Sequence, residues 1–152
     1  MRRAAPASLA SLVFASLVFA AACSAPPQDS ARTAPHADEG PAAYFVNLKD
    51  GDVVASPFRV VFGLYGLGVA PAGVAVENTA HHHILIDATL GADDLAYPVP
   101  ADDNHIHFGG GQTETVLDLA PGAHTLQLVP GDANHVPLDP SIWSDRITIT
   151  VE

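Results

Sequence analysis

From residue 43 onward the apolar positions recur with a period of two. Phe58, Val60 and Phe62 alternate with Arg59, Val61 and Gly63. His124, Leu126 and Leu128 alternate with Thr125 and Gln127, and Ile147, Ile149 and Val151 alternate with Thr148 and Thr150. Successive side chains of a strand point to opposite faces, so each run predicts a strand with one buried face. Ala43–Leu48, His81–Asp87 and Thr113–Leu119 are three further strand-like runs. Turn signals punctuate them: Lys49-Asp50-Gly51-Asp52 after the first, and Ala120-Pro121-Gly122 before the run from Ala123. No window carries a helical apolar period of useful length. Two stretches read as long loops. One is Leu64–Thr79, with Gly66, Gly68, Pro71 and Gly73; the other is the acidic Gly91–Asn104, with Pro98 and Pro100.

These elements predict an all-β domain over residues 43–152, an immunoglobulin-like antiparallel β-sandwich. The Pro-Gly turn into a strand and the closing Thr/Ile alternation suit that fold. The Cys pair of many such domains is missing, and Trp143 sits before the last strand instead of in the usual core position.

The preceding residues differ in kind. Arg2 and Arg3 are followed by an apolar stretch from Leu9 to Ala22, too short for a membrane span, and then by Cys23. The pattern is that of a bacterial lipoprotein signal over residues 1–22, with Cys23 as the lipidated N-terminus. Small residues before the cysteine suit this reading, and the only Cys falling at the one place the mechanism requires favours it over an ordinary cleaved signal peptide. Ser24 after it favours the outer membrane, facing the periplasm. Residues 23–42 are rich in Pro, Ala and acid, without periodicity, and read as a flexible tether spanning on the order of 25 Å. The implied location is the bacterial cell envelope, with the membrane as a partner through Cys23.

Charge narrows the function. The 152 residues hold 6 Lys+Arg against 17 Asp+Glu, a formal net charge of -11. Nucleic-acid binding requires a basic face, so no nucleic-acid partner is expected. A single Cys excludes a disulfide framework and any Cys-rich metal centre.

What stands out is the histidine content, 8 in all. Seven lie in the β domain: His81-His82-His83, His105-Ile106-His107, His124 and His135. Strand residues two apart share a face at a spacing of about 6.6 Å. His81 and His83 therefore point together, as do His105 and His107. Two such pairs side by side would converge three or four imidazoles on one ion. Imidazole suits zinc, copper, nickel and iron, and without thiol or thioether donors the set favours Cu(II) or Zn(II). His82 and His135 are held in reserve as ligands. His82 alternates with Ile84 and Ile86, so a place at the core edge is equally open to it. His124 follows a Pro-Gly turn on an apolar face, where it reads as structural, bonding back to the turn. His36 falls in the tether.

Other chemistry finds little support. Phe108-Gly109-Gly110-Gly111-Gln112 lacks the Lys and the helix of a phosphate cradle, and reads as a bulge or tight bend. Ser56, Ser141 and Ser144 lie in no nucleophile-elbow context. His105-x-His107 with Glu114 is too widely spaced for the metal motif of cupin barrels. Catalysis is not assigned.

Four segments resemble a known family: Tyr44-Phe45-Val46 with Asp50-Gly51 and Ser56-Pro57-Phe58, His81 to Asp87, His105 to Glu114, and Pro121 to Leu128. Together they are similar to the bacterial domain-of-unknown-function 4399 family, over essentially residues 43–152. The resemblance implies an exported bacterial domain and carries no assigned activity. The family's tail holds a further His near His135, whereas Leu138 follows Pro137 here. The function expected is therefore a lipid-anchored envelope protein that binds copper or zinc through His81, His83, His105 and His107. The alternative is a metal-free module that recognises an envelope protein or a glycan.

Overall fold

The computed structural model describes Met1 and residues 40–152. Residues 2–39, with most of the signal-like segment and tether, Cys23 and His36, lie outside the described residues. Nine strands follow one another: β1 (Ala42–Phe45), β2 (Val53–Val54), β3 (Phe58–Tyr65), β4 (Gly68–Val69), β5 (Thr79–Ile86), β6 (His105–His107), β7 (Glu114–Leu117), β8 (Gly122–Gly131) and β9 (Ile147–Val151). Single 3-10 turns occupy Ala92–Ala96 and Pro140–Ile142, and the described residues contain no α-helix. Over the described residues the protein is all-β.

The strands form two sheets. β1, β3 and β7 make a three-stranded sheet in the order β1-β3-β7. The larger sheet runs β2-β9-β8-β5-β4, and β6 also pairs with β5. β4 meets the first two residues of β5, and β6 meets His83 to Leu85. Pairing is antiparallel except at β2–β9 and β4–β5, which are parallel. The wholly antiparallel expectation is corrected at those two places. The first has a local cause in the Lys49–Asp52 turn. Its Gly51, at φ +81, donates its amide to Thr148 O, and Asp50 Oδ1 accepts from Thr148 N at 2.7 Å. The turn is thereby fastened to β9, and the chain leaves it running alongside that strand.

A common core joins the sheets. Phe45, Phe58, Val60, Phe62 and Leu117 come from the smaller sheet, and Ile84, Ile86, Leu126, Leu128, Ile147, Ile149 and Val151 from the larger. The period-two positions in β3 and β9 are those that are buried, as are Leu126 and Leu128 of β8, whose last four residues are buried on both faces. Fully burying one such side chain contributes on the order of 2 kcal/mol, so this shared face is what holds the sheets together.

The larger sheet has a second apolar patch on its opposite face. Leu85, Val99 and Val129 form it, with Trp143, Ala88 and Leu90 packed against them. Loops cover this face: the Val99 amide donates to His135 O, and Trp143 Nε1 donates to Leu138 O. β5 is consequently buried on both sides along nearly its whole length. The predicted loop 64–79 is shorter than expected. β3 continues to Tyr65, a bend at Gly66 (φ +73) carries the chain to the larger sheet, and β4 pairs with β5.

Candidate metal centre

Alternation along β5 sorts its three histidines. Ile84 and Ile86 enter the inter-sheet core while Leu85 enters the outer patch. His82 therefore faces inward and His81 and His83 face outward. His82 packs edge-on against Phe62, with ring centroids 4.8 Å apart. Register then supplies neighbours. His83 lies opposite His107 of β6 on one side and Val129 of β8 on the other, and His81 lies opposite Gly131.

A fourth imidazole descends from the loop after β8. Asp132 builds the turn that carries it: Oδ1 accepts from Asn134 N at 2.8 Å and from Val136 N at 2.9 Å. The His135 amide donates to Asp132 O, and His135 adopts φ 69. Left-handed backbone is uncommon for a residue with a Cβ, and here the Asp132 network and the Val99 bond fix it. The His135 ring thus sits over the sheet, 4.5 Å from that of His107 and 5.1 Å from that of His81.

Each of His81, His107 and His135 can offer one nitrogen such that the three atoms lie within 4.8 Å of one another. Nitrogens on a tetrahedral zinc at about 2.05 Å stand about 3.3 Å apart, so a modest contraction would bring the three onto an ion. His83 adjoins them, with its ring 4.8 Å from that of His81 and stacked on that of His107 at 5.1 Å. Two glycines make room. A Cβ at Gly109 would fall 2.4 Å from His107 Cε1, and one at Gly131 2.7 Å from His83 Cε1.

The polar accounting is unusual. His81 and His83 are 1% and 0% exposed. The Nε2 atoms of His81, His83 and His107 are buried without a hydrogen-bond partner. Buried polar groups in folded proteins are ordinarily paired, and each orphan costs about 1–3 kcal/mol. Burial, reinforced by the neighbouring His107 and His135, lowers the His81 pKa to about 4. Burial first, then His81, His107 and His135, lowers that of His83 to about 3 against a bond to Val129 O. Burial and then His135 also lower that of His107. Lowered values favour the neutral ring at His81, His83 and His107, the state a metal ligand requires.

His105 is not brought into this group. It lies opposite Leu85, one position beyond the His83–His107 pair. Its Nδ1 donates to Asp102 Oδ1 at 2.8 Å, which holds the Asp102 carboxyl below its usual range. Sharing a strand face with His107 did not suffice, because the acidic turn before β6 captures the ring. His82 is likewise outside, turned into the core with both nitrogens unpartnered. His124 is structural. Nδ1 lies 2.7 Å from Asp87 Oδ2 and Nε2 2.9 Å from Ala120 O, in the turn before β8. Both oxygens accept, so the ring donates from both nitrogens and is the imidazolium; the Asp87 bond foremost raises its pKa. Sequence reading missed the part played by Gly131 and Asp132. The Asp132-Ala133-Asn134 run signals a turn, but which face it overhangs depends on how β8 pairs.

Fold and site together define an all-β domain with a buried imidazole cluster on the outer face of its larger sheet. The chain belongs to the family described as Domain of unknown function (DUF4399), whose family model matches residues 60–152. The match spans every strand that contributes to the cluster. No curated protein matches the chain, and no solved structure does.

Proposed function

We propose that this protein is a cell-envelope lipoprotein, anchored at Cys23, whose immunoglobulin-like sandwich binds a divalent transition metal, zinc or copper, through His81, His107 and His135. One observation carries the reading: imidazoles from β5, β6 and a loop converge, and the buried Nε2 atoms of His81 and His107 find no hydrogen-bond partner among the described residues. Coordination to an ion would satisfy them and offset the cost of burying them. The acidic surface raises the local cation concentration but does not choose among metals.

The test is titration of the full chain, purified without a His tag, with Zn(II) and Cu(II) at neutral pH. One ion bound per chain, tighter than micromolar and lost in a His81→Ala/His107→Ala double variant that keeps its strand spectrum, supports the reading. Weak, multi-site binding unaffected by the substitutions overturns it and favours the metal-free interaction module.

A further inference from the structure

His83 has no role in a three-histidine site, yet it is the most completely housed ring of the group. Its Nδ1 lies 3.2 Å from Val129 O. A carbonyl only accepts, so Nδ1 carries the proton and Nε2 carries the lone pair. That lone pair is buried and unpartnered. A backbone carbonyl fixing the tautomer of a ring whose other nitrogen is free is the usual support of a metal-ligating histidine. Gly131, whose missing Cβ leaves the ring its space, completes the housing.

The six distances among the four rings say what shape they make. With nitrogen about 2.05 Å from the ion and the ring centroid about 1.15 Å behind it, four imidazoles in a tetrahedron have centroids about 5.2 Å apart. In a square plane, four of the separations would be about 4.5 Å and the two diagonals about 6.4 Å. The structure has 4.8 Å for His81–His83, 5.0 Å for His81–His107 and 5.1 Å for His81–His135. It has 5.1 Å for His83–His107, 6.2 Å for His83–His135 and 4.5 Å for His107–His135. A square with His83 and His135 on one diagonal would put His81 and His107 on the other, and they are too close. The four centroids outline a tetrahedron stretched along one edge, while the nitrogens already within 4.8 Å of one another are those of His81, His107 and His135, so His83 Nε2 must move inward to join them.

Resting on the metal reading above, we propose that His83 is a fourth ligand, that the four imidazoles close a tetrahedral shell suited to Zn(II), and that no coordination position is left for a substrate. Such a site holds its ion as cargo or as a clasp between the sheet and the His135 loop. It does not activate water. A closed shell is the mark of structural zinc, and three protein ligands with an open position the mark of catalytic zinc.

Co(II) loaded into the full chain reports the shell through its visible absorption. The expected result is the intense band of four-coordinate Co(II), unchanged by added azide. In His83→Ala, and in His83→Gln, affinity should fall at least tenfold, the band should become azide-sensitive, and exogenous imidazole should restore it in the alanine variant. An azide-responsive wild-type spectrum overturns the fourth ligand while leaving the metal reading intact, and so does a His83 variant with the wild-type spectrum and affinity. If neither variant folds, the wild-type azide titration decides alone. Failure of Co(II) and Zn(II) to bind the wild-type chain while Cu(II) binds overturns this proposal alone, and failure of all three overturns it together with the function it rests on.

Discussion

Acid should unfold the metal-free protein well before ordinary carboxylate titration begins. Three adjacent histidines, His81, His82 and His83, are essentially unexposed, and burial is the leading cause that lowers their pKa values to about 4, about 4 and about 3. The same side chains titrate near 6.5 in the unfolded chain. Between those values the unfolded state binds more protons, so stability falls as pH falls. The contribution is fully present above pH 6.5 and is lost on the way down to the folded values. Lowering pH from 7 to 5 costs about 2 kcal/mol per histidine, and roughly 4–6 kcal/mol for three that partly share their mutual repulsion. A domain of this size is stable by about 5–15 kcal/mol, so the loss is decisive. Urea unfolding at pH 7, 6 and 5, followed by Trp143 fluorescence, measures it directly. The expected midpoint drops steeply in that window, and bound Zn(II) moves the drop to lower pH. An unfolding free energy that is flat from pH 7 to 5 would mean that the three histidines are not buried in the neutral form.

Other substitutions separate the parts of the account. His82→Leu removes two unpartnered buried nitrogens from the core; stability at pH 7 should rise by about 1–3 kcal/mol with metal affinity unchanged, and loss of affinity would place His82 in the site. Gly131→Ala and Gly109→Ala introduce a Cβ 2.7 Å and 2.4 Å from the His83 and His107 rings; Zn(II) affinity should fall at least tenfold, read by competition with a chromophoric chelator. His124→Phe breaks bonds to Asp87 and Ala120 and should destabilise by on the order of 2 kcal/mol. Its pH dependence runs opposite to that of the cluster. The His124 pKa is raised, foremost by Asp87, so its contribution is fully present below 6.5 and is lost as pH rises through the folded value. The variant's deficit in thermal unfolding should therefore shrink at alkaline pH.

Much of the fold was legible because burial on one face leaves a period of two. Phe58, Val60 and Phe62, Leu126 and Leu128, and Ile147, Ile149 and Val151 are buried as their alternation predicts. The same rule placed His81 and His83 on one face and left His82 on the other. It could not place His105, because alternation fixes the direction of a side chain's departure and not the partner that captures its ring, here Asp102. Nor could it show that His135 crosses above the sheet, which depends on the Asp132 turn and on the pairing of β8 with β5. β2 and β4, two residues each, carry no pattern long enough to read. β2 exists because the Lys49–Asp52 turn is fastened to β9, and β4 is held by the Gly68 and Ala70 amides donating to Asn78 O and Ala80 O along the start of β5.

The most direct test of the central claim is the metal content and affinity of the full chain at neutral pH, by elemental analysis followed by Zn(II) and Cu(II) titration. One ion per chain is expected, bound tighter than micromolar and abolished by His81→Ala/His107→Ala. Binding that is weak, exceeds one ion per chain and survives that double substitution would contradict it.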